Sequence, residues 1–126
     1  MAPQIEGSWL VTVTIPGGPP PFRAIETYSA GGGLVSTDGV TPPSAGHVYQ
    51  GTWARTGGHE FAFTFLGLQY DAAGVHSGFI RVRETLMIEP DRDAFNATGT
   101  VQFLDLDQNV TFSADLTTHG TRINAQ

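Results

Sequence analysis

The chain has 126 residues, 40% hydrophobic and 14% charged, which suits one globular domain spanning 1–126 with a buried core of its own. Twelve acidic side chains face six basic ones, all Arg, and the net charge of −6 argues against nucleic acid and anionic membrane surfaces as partners. Cysteine is absent, which excludes a disulfide framework and thiolate-bound zinc.

"MAPQIEGSW" at the N-terminus has neither a basic nor an apolar segment of the kind that directs secretion, and no apolar run reaches the roughly 18 residues that span a bilayer. The expectation is a cytoplasmic protein that stays off the membrane. Nothing in the composition bars a homodimer. The 16 Gly and 8 Pro suit many short strands joined by turns.

Alternation with a period of two predicts eight strands, and no stretch of ten or more residues has capped helical periodicity. The first, 7–15, sets Trp9, Val11, Val13 and Ile15 on one face, with Thr12 and Thr14 opposite. The second, 21–29, sets Phe22, Ala24, Glu26 and Tyr28 against Arg23, Ile25, Thr27 and Ser29. The third, 33–38, follows the turn "SAGGG", and the fourth, 47–56, carries Tyr49, Trp53 and Arg55 in phase. In the fifth, 59–70, Phe61, Phe63 and Phe65 share a face, although Leu66 and Leu68 oppose them. The sixth, 78–88, sets Ile80, Val82, Glu84, Leu86 and Ile88 against Phe79, Arg81, Arg83, Thr85 and Met87. The seventh, 94–104, aligns Phe95, Ala97, Gly99, Val101 and Phe103. The eighth, 109–119, aligns Val110, Phe112, Ala114 and Leu116.

Eight sequential strands with short connections pair as a meander, and closing it removes both exposed edges. The expected fold is therefore all-β, an eight-stranded antiparallel up-and-down barrel; a Greek-key sandwich is the alternative. "PGGPPP", "DGVTPPSAG", "YDAAGVHSG" and "DLDQN" then share one end, while "SAGGG", "RTGGH" and "EPDRD" share the other. The first set is longer, which predicts an open mouth above a closed base. A barrel of this strand number is just wide enough for a small ligand.

Strands two and six repeat a frame, Arg-x-x-Glu-Thr, at Arg23–Thr27 and Arg81–Thr85. They stand four apart in an eight-strand ring and run in the same direction. Glu26 and Glu84 should therefore face each other at similar depth inside an apolar lining. Ionised carboxylates in such a place raise their pKa or find partners, and perturbed groups gather at functional sites. The plain alternative is a structural pairing, with Tyr49 and Arg55 as the expected partners. The side chains expected to hold a ligand are Phe22, Tyr28, Tyr49, Trp53, Phe63 and Phe65 on the first five strands. Ile80, Val82, Leu86, Val101, Phe103 and Phe112 complete the set.

Gly7-Ser8-Trp9 opens the first strand and His119-Gly120-Thr121-Arg122 closes the last. This resembles the calycin superfamily (lipocalins, fatty-acid-binding proteins and similar barrels), whose first strand begins with Gly-x-Trp. The resemblance implies a lipocalin-like barrel in which Arg122 packs across Trp9 at the closed base. Bacterial barrels of the allene-oxide-cyclase and spirotetronate-cyclase kind are similar in size.

The four His residues lie on different segments without ligand spacing, so no metal is expected. No phosphate loop, dinucleotide fingerprint or serine elbow is present, and no cofactor is expected. Beside a purely structural barrel with a solid core, two functional readings remain. One is an acid–base enzyme (a cyclase, an isomerase or an epoxide-opening hydrolase) working on a small apolar substrate through Glu26 and Glu84. The other is a non-catalytic carrier or sensor of a small hydrophobic molecule.

Overall fold

The computed structural model describes residues 4–89, 91 and 93–125; Pro90 and Arg92 of the predicted "EPDRD" turn lie outside them. Eight strands form: β1 (Gly7–Thr14), β2 (Phe22–Tyr28), β3 (Gly33–Asp38), β4 (Val48–Arg55), β5 (Glu60–Tyr70), β6 (His76–Glu89), β7 (Ala94–Leu104) and β8 (Val110–Arg122). Each pairs antiparallel with the next, and β8 returns to β1, so the sheet is a closed up-and-down barrel without an edge. A three-residue 3-10 turn, Pro43–Ala45, sits in the long β3–β4 connection.

The predicted strands match these within one to three residues. β6 starts earlier, at His76, because a bulge after Gln69 lets Tyr70 pair with His76. β8 runs on through Gly120 to Arg122, because Trp9 and Val11 of β1 need those residues as ladder partners. The alternation decides which way side chains point. Phe61, Phe63 and Phe65 are buried, while Leu66 and Leu68 face solvent, so the phenylalanine row is the inner face of β5.

The base is solid. Trp9, completely buried, donates its indole N–H to the Ile5 carbonyl at 2.9 Å and meets Phe95 edge-on at 5.0 Å. Trp53 and Phe61 meet at 5.9 Å, also edge-on, as aromatic quadrupoles favour. The Arg122 guanidinium lies 4.3 Å over the Trp9 ring and donates to Asp93 Oδ1 at 2.7 Å. It also donates to the carbonyls of Glu6 and Gln4, each at 2.8 Å. One side chain thus ties the start of β1, the end of β8 and the β6–β7 turn together.

Two cross-strand pairs explain how large rings fit against the wall. Tyr49 lies on Gly67 and Phe95 on Gly120, its direct partner in each ladder. A Cβ at either glycine would collide with the ring it carries.

Candidate functional site

The mouth half of the barrel is hollow. A cavity of about 430 Å3 opens between the long loops and descends to Glu26, Ser36, Glu84 and Thr118. Its upper wall is apolar, with Val13 and Ile15 of β1, Phe22 and Ala24 of β2, and Phe65 of β5. Ile80, Val82, Val101, Phe103, Phe112 and Leu116 complete it from β6, β7 and β8. The volume falls within the range of small-molecule sites. Phe103 and Phe112 pack at 5.3 Å on the rim, where they are 36% and 51% exposed.

Eight of the twelve predicted lining residues stand on this wall: Phe22, Tyr49, Phe65, Ile80, Val82, Val101, Phe103 and Phe112. Tyr28, Trp53, Phe63 and Leu86 also point inward, but they pack beneath the cavity as part of the filled base. Alternation reports the face of a residue and is silent about its depth relative to the floor. Ser36, Asp38, Thr41 and Thr118 also reach the cavity, and sequence reasoning missed them. Thr118 continues the Phe112–Ala114–Leu116 parity of β8, and Ser36 shares the parity of buried Leu34. Those periods were the available signal.

Both glutamates point inward, 2% and 5% exposed. Glu26 Oε1 accepts the Tyr28 hydroxyl at 2.7 Å, and Glu84 Oε1 accepts the Thr118 hydroxyl at 2.8 Å. The expected partners serve elsewhere. Tyr49 donates to Asp38 Oδ2 at 2.8 Å, and the Arg55 guanidinium stacks 4.6 Å over Phe61 while donating to the Gly58 carbonyl. Tyr28 serves Glu26 because residues two apart on a strand stand side by side on one face.

Burial raises both carboxyls: Glu26 to about 7 against the Tyr28 bond, and Glu84 to about 8, where the charge of Glu26 adds to desolvation. The first proton leaves against burial alone and the second against burial plus the charge just created. The two carboxyls therefore titrate as a pair. The Tyr28 phenol is itself held protonated by burial and by both carboxylates. Among the described residues, no Arg, Lys or His lines the cavity.

The mouth has its own polar node. Asp38 caps the β3–β4 loop, accepting the backbone N–H of Val40 and Thr41 through Oδ1 and the hydroxyls of Thr41 and Tyr49 through Oδ2. This anchors the long loop against the wall. No group of three or more His, Cys, Asp and Glu residues is arranged to hold a metal among the described residues. No family model matches the sequence, and comparison with curated proteins finds no significant relative.

Proposed function

We propose that the barrel takes a small, largely apolar molecule into its mouth half and transforms it by acid–base chemistry, with Glu26 and Glu84 as the working groups. One observation carries this reading: two buried carboxyls share the floor of an apolar cavity that no Arg, Lys or His enters among the described residues. Holding a hydrophobic molecule needs neither acid, and two desolvated acids cost stability that an apolar floor would not.

The hydrogen bonds divide the roles. A phenol is a stronger donor than an alcohol, so Tyr28 favours the ionised form of Glu26 more than Thr118 favours that of Glu84. Glu26 is then the base and Glu84 the acid near neutral pH, the pairing such chemistry requires. Glu84 delivers its proton to a substrate oxygen as Glu26 accepts one from carbon or from an attacking water. Isomerisation, cyclisation and epoxide opening all fit this exchange. The Arg122–Trp9 stack beside Gly7-Ser8-Trp9 supports grouping the chain with calycin-like barrels.

Carboxyl titration by NMR, with Glu26→Gln and Glu84→Gln, tests the reading. At least one transition should lie well above the ordinary Glu value of about 4.3, and removing either carboxyl should lower the pKa of the other. Each substitution should slow turnover by roughly 100-fold or more. Two solvent-like titrations would sink the catalytic reading. The carrier reading draws on the hydrocarbon wall, and predicts that at most one substitution weakens binding while the other is silent.

A further inference from the structure

Ser36 stands on β3 directly beside Glu26 of β2 and Tyr49 of β4, its ladder partners on either side. It is 2% exposed and lines the cavity. Its hydroxyl makes no hydrogen bond with any described residue, whereas the neighbouring Tyr28, Tyr49, Thr41 and Thr118 hydroxyls are all engaged. No side-chain oxygen or nitrogen sealed from open space lacks a partner among the described residues, so the Ser36 oxygen opens onto the cavity. The same holds for the second oxygen of each glutamate, since only Oε1 of each is bonded.

A hydroxyl that opens onto a cavity and has no partner in the protein is free to donate to whatever the cavity holds. Ser36 and Glu84, the glutamate that keeps its proton, are O–H donors lining the same cavity, and no N–H side chain stands on the wall among the described residues. Two donors opening onto one cavity call for an acceptor. That acceptor is uncharged, because an anion would meet two acids with no cation beside them.

Resting on the ligand-cavity reading above, we propose that Ser36 is a third member of the site, donating jointly with a glutamate to one uncharged oxygen of the ligand, such as that of a ketone, alcohol or epoxide. Fatty-acid-like carboxylates are then excluded despite the apolar wall. If the reaction places negative charge on that oxygen, the same two donors stabilise it, as oxyanion-binding donors do.

Displacement of a fluorescent apolar dye by methyl hexyl ketone, octene and octanoate at neutral pH tests this in wild type and Ser36→Ala. The wild type should bind the ketone at least about tenfold more tightly than octanoate. Ser36→Ala should weaken the ketone by about tenfold and leave octene and the melting temperature unchanged, since the hydroxyl holds nothing in the protein. A ketone affinity unmoved by Ser36→Ala, or octanoate binding as well as the ketone, overturns the proposal while octene binding keeps the cavity reading intact. If octene and the dye do not bind at all, the cavity reading fails and this proposal with it.

Discussion

Below the level of Glu26 and Glu84, the interior is filled by Trp9, Tyr28, Phe61, Leu86 and Phe95, none more than 1% exposed. Above it, the same strands present Val13, Ala24, Val82, Val101 and Leu116 around open space. Strand pattern, pairing and inward face are alike in the two halves. The difference is what reaches the middle: at the base Trp9, Tyr28, Phe61 and Phe95 fill it, whereas at the mouth the short Val13, Ala24, Val82 and Val101 stand among Phe22, Phe65, Phe103 and Phe112 and leave it open. The glutamates sit at the boundary, desolvated from below and reachable from above, which is where a buried acid can meet a ligand.

Breaking the filled half should have the largest effect. Trp9→Ala removes a buried indole, its bond to Ile5 and the surface on which Arg122 rests. It should cost roughly 3–5 kcal/mol in denaturant unfolding. A small loss would mean that the base is not the stabilising half.

The boundary itself is next. Both carboxyls have folded-state pKa values above the unfolded one, so the native state keeps protons that the unfolded chain releases. Their contribution is fully present below about pH 4.5 and is lost as pH rises through about 7 and 8. Between about pH 5 and pH 8 the pair should therefore lower stability by a few kcal/mol, because each tenfold change in a proton-binding equilibrium is worth about 1.4 kcal/mol. Thermal melts of wild type against the Glu26→Gln, Glu84→Gln double variant check this: the wild-type midpoint should fall across that range and the variant should be flatter. A wild-type midpoint that falls no more than the variant's would place the carboxyls in water.

The smallest effect sharpens the contrast. Ala97 packs in the filled core, while Val101, four residues along β7, faces the cavity. Ala97→Phe should cost about 1–3 kcal/mol through overpacking, whereas Val101→Phe enters open space and should change stability by less than about 1 kcal/mol. Val101→Phe should also abolish binding of the apolar dye. Equal costs at both positions would mean that the mouth half is already full.

The barrel is legible because every strand alternates and every break carries turn residues, so strand count, order and mouth follow from pattern alone. The opposed glutamates are legible for the same reason, since Glu26 and Glu84 stand in phase with aliphatic neighbours. What stays hidden depends on volume and on short polar side chains. Nothing in the spacing of Tyr28 or Leu86 tells that the base is filled to their level. Ser36 and Thr118 look like any strand Ser or Thr until closure brings their strands beside the acids. Tyr49 points inward as the glutamates do, which made it a candidate partner, but Asp38 at the end of β3 is within its reach.

The Arg122 clamp has a kinetic consequence. Its bonds to Glu6 and Gln4 join residues 116 and 118 positions apart, and Ile123 donates to the Ser8 carbonyl across nearly the same span. The hairpins from β5 to β8 need only local pairing, whereas the β1–β8 seam needs almost the whole chain to be in place. Loop-closure entropy grows slowly with length, so the seam is tolerable at equilibrium, but such distant contacts form late. Until then β1 and β8 are open edges with unpaired backbone groups, the usual templates for aggregation. The seam that Arg122 ties in the finished barrel is thus the edge that stays exposed longest in the nascent one.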